Sequence, residues 1–138
     1  MIIYRLQEVD SEYNWVSHEI RINDHNNAYV NGELYLVNGT NINGVPLGYS
    51  FIGNFSIKFD LCSHWYFKGE DFKETDEHDS YYHICGGDSY IDFMTGIAFA
   101  VEVSKILLDI EKDDDLFDSY KVETLKLLEG SKIIRIDE

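Results

Sequence analysis

Two short spacings bring together the residue types best able to do chemistry in this chain, Cys62-x-His64 and His83-x-Cys85. On a strand, positions i and i+2 share a face. If the two segments paired as an antiparallel hairpin, two thiolates and two imidazoles could converge in the tetrahedral set that zinc favours. The separation between the pairs matches no zinc-finger pattern, and convergence would need one particular register and facing. The four residues are therefore read as parts of a sheet, and no cofactor is expected. A zinc site at Cys62, His64, His83 and Cys85, or a thiol-dependent activity there, is the alternative. A histidine beside a cysteine can raise its thiolate fraction, but no third group that would orient either imidazole is identifiable. The chain shows no catalytic constellation, and a non-enzyme is expected.

Carboxylates are the next group with chemical potential. Glu70, Asp71, Glu74, Asp76, Glu77 and Asp79 crowd one connection with Lys73 as the single cation among them. Asp109, Glu111, Asp113, Asp114, Asp115 and Asp118 form a second group, of which Asp113 to Asp115 immediately precede an apolar-periodic stretch. Neither has the alternating oxygen ligands, central glycine and terminal glutamate of an EF-hand. Acids of the second group suit a helix start, where the dipole is positive. No helix accounts for the first group, which is read as a docking edge for lysines and arginines of a partner. Tyr66 and Phe72 are of the types that anchor protein interfaces when acids surround them. Gly86-Gly87-Asp88-Ser89 is read as a turn, because Asp88 and Asp92 would repel a phosphate at that helix start.

The whole chain bears out this emphasis on charge. It has 138 residues, 26 acidic against 11 basic, and a formal net charge of -15. Such a surface repels nucleic acid and anionic membranes and attracts basic proteins. With 44% apolar and 14% aromatic residues the composition is that of one folded domain, residues 1–138. No long uncharged apolar run and no signal-peptide pattern occurs, so a cytoplasmic protein with no membrane contact is expected. Two cysteines do not form a disulfide framework.

Periodicity supplies the elements that must position these groups. Met1 to Leu6 reads as an edge or first strand. Tyr13 to Ile22 alternates, with Val16, His18, Ile20 and Ile22 on one side and Trp15, Ser17, Glu19 and Arg21 on a solvated or partner-facing side. The turn formers Asn23 to Asn27 reverse the chain. Ala28 to Val37 follows, with Asn31-Gly32 read as a bulge inside one longer strand in preference to a hairpin turn. Residues 38–48 form a long loop. From Tyr49 to Leu61 the odd positions Phe51, Phe55, Ile57, Phe59 and Leu61 are assigned to the core. Continuing that alternation puts Trp65 and Phe67 inside and Cys62, His64 and Tyr66 outside. Ser80 to Cys85 is a short strand. A helix then runs from Tyr90 to about Lys112, apolar over most of its circumference, with Asp92, Thr95, Gly96, Glu102, Lys105, Asp109 and Lys112 as a narrow polar stripe. A second helix through Leu116, Phe117, Tyr120, Leu125 and Leu128 ends at Gly130. Ser131 to Ile136 forms a last edge strand. The fold class is α+β: an antiparallel meander of about five strands packed against a long central helix and a second, C-terminal helix.

In size, acidity and α+β build the chain resembles the immunity proteins of bacterial polymorphic and contact-dependent toxin systems. No motif carries this resemblance, so it brings no site residue with it. It implies a protein that binds a toxin domain, often a basic nuclease, and blocks it, with a negative surface imitating a nucleic-acid backbone.

Overall fold

The computed structural model describes residues 1–9, 14–58, 65–69, 87–110 and 128–137. They form strands β1 (Ile2–Glu8), β2 (Val16–His25), β3 (Tyr29–Val37), β4 (Tyr49–Lys58) and β5 (Trp65–Gly69), helix α1 (Gly87–Leu108) and strand β6 (Ser131–Asp137). The strands make one antiparallel sheet in the order β5-β4-β3-β2-β1-β6. Helix α1 lies on one face of it, against β3 and β4, so the architecture is α+β. The expected second helix falls almost wholly on residues 111–127, and the expected strand Ser80 to Cys85 on residues 70–86; both lie outside the described residues.

Alternation explains why one face is dry. Tyr4 and Leu6 of β1, Ile20 and Ile22 of β2, Val30 and Leu34 of β3, and Phe55 and Ile57 of β4 are buried with Ile97, Phe99, Val101 and Val103 of α1 in a single cluster. Each side chain of this size adds about 1.5–3 kcal/mol on full burial. The helix reaches this layer closely because Gly96 has no side chain: a Cβ there would sit 2.1 Å from Leu34 Cδ2.

The structure corrects the sequence reading in several places. Of the two readings of Met1 to Leu6, first strand holds and edge does not: β1 is internal, flanked by β2 and β6. The bulge beside Asn31-Gly32 exists, but on the opposite strand, where β2 skips Asn23 between the pairs Ile22 with Gly32 and Asp24 with Asn31. The β2–β3 reversal is correspondingly tighter than expected, closed by Asn26 N–H donating to the Tyr29 carbonyl. Within the polar stripe of α1, Thr95, Glu102 and Lys105 are buried whereas Asp109 is exposed. Ser104 is accommodated inside because its hydroxyl donates to the Ala100 carbonyl at 2.8 Å. Lys105 Nζ lies 3.7 Å from the Glu102 carboxylate.

The most consequential correction concerns Phe51. The β3–β4 register slips between the pairs Leu34 with Gly53 and Tyr35 with Phe51, leaving Ile52 as the extra residue. One extra residue inverts every later side chain relative to the earlier ones. Phe55 and Ile57 thus enter the core, while Phe51 stands on the opposite face and is 44% exposed.

Two predictions arise from the core. Replacing Gly96 with Ala improves helix propensity yet forces Leu34 aside, so urea denaturation of Gly96→Ala should show a loss of about 1–3 kcal/mol. A Leu34→Ala background should remove most of that loss, because the two sites share the contact. The second concerns His18, which stands between Leu6 and Leu36. Its Nδ1 is 2.9 Å from Ser17 Oγ, its buried Nε2 has no hydrogen-bond partner among the described residues, and burial lowers its pKa from 6.5 to about 4. Between those pH values the unfolded chain binds the extra proton. The stabilising contribution is therefore complete above about pH 6.5 and is lost as pH falls towards 4. Denaturation at pH 7 and pH 5 should reveal a His18-dependent loss of about 2 kcal/mol on acidification, absent from His18→Leu.

Candidate protein-binding face

On the sheet face away from α1, β2 contributes a carboxylate at a position where alternation predicts an outward side chain. Glu19 is nevertheless only 1% exposed, because its neighbours close over it. Arg5, its cross-strand partner on β1, donates Nε–H to Oε1 at 3.0 Å. Arg21, two residues along β2, donates Nε–H to Oε2 at 2.7 Å. The Tyr49 hydroxyl donates to Oε1 at 3.0 Å. A carboxylate with three donors, two of them cationic, offsets the desolvation that would otherwise keep it out of such a place.

Above this carboxylate stands a layer of rings. The Arg21 guanidinium lies 4.1 Å from the Tyr35 ring centroid and 4.7 Å from that of Tyr49, the geometry of cation–π attraction. Tyr35 in turn meets Tyr49 and Phe51 edge to face, with centroids 5.9 and 5.5 Å away. Its hydroxyl donates to the Glu33 carboxylate. Burial opposes the Arg21 charge, but the hydrogen bond and attraction to Glu19 outweigh it and raise the pKa. Burial and then the Glu19 hydrogen bond raise the Tyr49 phenol, and the Glu33 hydrogen bond and then burial raise that of Tyr35. Both phenols thus remain donors at neutral pH.

The expected loop 38–48 is an ordered extension of the β3–β4 hairpin. Asn38 N–H donates to the Gly48 carbonyl, Leu47 N–H to that of Gly39 and Asn41 N–H to that of Val45. Thr40 and Pro46 form a further bridge. The tip closes with Gly44 N–H on the Asn41 carbonyl, while Asn41 Oδ1 accepts from the amides of Asn43 and Val45. Gly44, at φ 79°, occupies the left-handed region that such a turn requires. Thr40 Oγ1 ties the hairpin to β2, accepting from Val16 N–H at 3.1 Å.

This ordered extension displays apolar side chains to solvent. Ile42 is 78% and Leu47 70% exposed. Val45, Tyr49 and Phe51 are also exposed, as is Trp15 at the entrance to β2. The sequence held a signal for this region that the periodicity reading passed over: residues 34–57 contain no Asp, Glu, Lys or Arg in a chain with 27% charged residues. A segment devoid of charge in so acidic a protein, held by its own hydrogen bonds and exposing aliphatic and aromatic side chains, has the low charge of an interface core.

Of the partner-binding residues expected from sequence, only Tyr66 lies among the described residues, in β5 with its backbone paired to Ser56. Glu70, Asp71, Phe72, Glu74, Asp76, Glu77 and Asp79 lie outside them, as do Cys62, His64, His83 and Cys85. Among the described residues no three ligating side chains are grouped to hold a metal ion, and no helix is long and apolar enough to cross a membrane. Trp65 pairs with Ile57 and Gly69 with Gly53, so β5 advances towards the hairpin end of β4.

Glu19 positions this face, and its charge is the test. In Glu19→Gln two partly buried guanidiniums lose their counter-charge, and thermal or urea unfolding should register a loss of about 2–3 kcal/mol. Near-ultraviolet circular dichroism should report loosened Tyr35 and Tyr49 rings, whereas substitution of the exposed Ile42 should leave that signal unchanged.

Comparison with protein-family models, with curated proteins and with solved structures finds no match, so the reading of this face rests on its own geometry and charge.

Proposed function

We propose that this chain is an acidic binding protein that captures a basic protein partner and neutralises it. In its fullest form the reading is of an immunity protein that covers the working surface of a toxin domain such as a nuclease. The observation that carries it is the uncharged, hydrogen-bonded β3–β4 hairpin, exposing Ile42, Val45, Leu47, Tyr49 and Phe51 on a chain of net charge -15. The two features act over different ranges. Negative charge raises the association rate with a cationic partner and is screened beyond about 8–10 Å at physiological salt. Apolar and aromatic anchors act at contact and slow dissociation. The acidic run Glu70, Asp71, Glu74, Asp76, Glu77 and Asp79, with Tyr66 and Phe72, would supply the charged rim, since it follows in sequence on β5, which runs antiparallel to β4.

The partner to try first is a basic protein encoded beside this one. Association should slow as salt is raised from 50 to 500 mM. Leu47→Asp and Ile42→Asp should each weaken binding by about tenfold or more through faster dissociation, a loss of about 1.4 kcal/mol or greater, with an unchanged melting temperature. Salt-independent association, or full affinity in both hairpin variants, would overturn the reading.

A further inference from the structure

Three Asn-Gly steps occur in the chain, Asn31-Gly32, Asn38-Gly39 and Asn43-Gly44, and all belong to the β3–β4 hairpin. Asparagine is thermolabile, and a following glycine exposes it to its own main chain. With no Cβ on glycine, the amide nitrogen can approach the preceding side-chain carbonyl carbon and close a cyclic imide.

The fold treats the three steps differently. Gly32 is paired on both sides, with Ile22 and with Phe55, and Asn31 Oδ1 accepts from Ser56 Oγ at 2.6 Å. Asn38 is exposed, but its Nδ2 donates to Ser50 Oγ at 2.8 Å, and turning its carboxamide onto Gly39 would break that bond. Asn43 stands exposed at the hairpin tip. Its main-chain N–H donates to Asn41 Oδ1 at 2.8 Å, while its carboxamide makes no hydrogen bond among the described residues. The bond that opposes attack there is Gly44 N–H to the Asn41 carbonyl at 3.0 Å. A single turn bond at the end of a hairpin opens far more readily than a ladder inside a sheet.

We propose that Asn43 is a site of spontaneous covalent modification, losing its side-chain amide through a cyclic imide formed with Gly44, while hydrogen bonds hold back Asn38 and Asn31. The Gly44 nitrogen gives up its proton to hydroxide, and its electron pair forms a bond to Asn43 Cγ. The Cγ–Nδ2 bond breaks, and Nδ2 takes up a proton and leaves as ammonia. Water then opens the imide at either carbonyl. One opening gives aspartate; the other gives isoaspartate, in which the main chain runs through the side-chain carbon. Nothing is oxidised, and water is the only co-reactant.

Either product places a carboxylate in a segment, residues 34–57, that has none. Isoaspartate also lengthens the main chain between the amides of Asn43 and Val45, which Asn41 Oδ1 holds together. A partner seated on the hairpin would then meet a charge and a reshaped tip between Ile42 and Val45. That consequence rests on the binding reading, whereas the conversion itself does not.

The full chain is incubated at pH 8, folded and in urea, and followed by peptide mapping with mass spectrometry. In the folded chain Asn43 should convert at least about tenfold faster than Asn31 or Asn38, as two isomeric products. In urea the three rates should converge. Ser50→Ala, at an exposed position, should accelerate Asn38 and leave Asn43 unchanged, and Asn43→Gln should remove the products at the tip. No conversion at Asn43, equal rates at the three sites in the folded chain, the same order of rates in urea, or aspartate as the single product would overturn the inference. None of these measurements needs a partner, so their failure is distinct from failure of the binding reading.

Discussion

The outer face of the sheet depends on one buried charge. Glu19 cannot be hydrated where it stands, so its three donors must stay in place, and each then fixes something else. Arg5 pins β1 to β2 across their ladder. Arg21 becomes a platform beneath the Tyr35 and Tyr49 rings. Tyr49 is anchored by its hydroxyl at the first residue of β4, next to the hairpin. The aromatic face is thereby assembled from strands β2, β3 and β4 around a single carboxylate. A hydrophobic residue of similar volume at position 19 would spare the desolvation but leave nothing to orient the two guanidiniums. The charge serves orientation more than stability, which is what a recognition surface requires of its supporting groups.

In the proposed reading, charge and apolar contact divide the work of recognition. The net charge of -15 comes from many acids outside residues 34–57, and such a field can draw in a cation without selecting which one. Selection comes from short-range fit, and here the candidate for that fit is the one long stretch from which charge is missing. Keeping charge out of residues 34–57 avoids the desolvation cost that buried acids would add to an interface core.

Much of the fold was legible because alternation and helical periodicity are local properties. The faces of β2 from His18 to Ile22 follow directly from it, as do the burial of Phe55 and Ile57 and the position of the long helix. Reading failed where a single residue changes parity. Nothing in an alternating pattern announces that Ile52 is skipped, and Phe51 was therefore assigned to the core. On α1 it identified the polar stripe but not its surroundings, since Glu102 and Lys105 are buried; a helix wheel records which residues are polar, not what covers them. Glu19 was correctly placed away from the core, yet its burial depends on Arg5 and Tyr49 arriving from other strands, which one strand's pattern cannot express. The strand order itself is long-range information, and the internal position of β1 illustrates it.

The pairing of β6 with β1 has a consequence for how the sheet is made. Strands β1 to β5 lie in chain order, each beside its predecessor, so their contacts close short loops. The β1–β6 ladder joins residues as distant in sequence as Tyr4 and Arg135 and closes the longest loop of all. Loop-closure entropy grows with the intervening length, and distant pairings slow folding. The sheet thus divides kinetically into a meander that can zip from its own turns and a terminal strand that must find a template already formed. Until β6 docks, β1 is a temporary edge with unpaired backbone groups, and its apolar Ile2, Ile3 and Leu6 are then open to other chains. Lys132 and Arg135, standing exposed on the strand that finally occupies the edge, are the kind of residues that discourage any further strand from joining there.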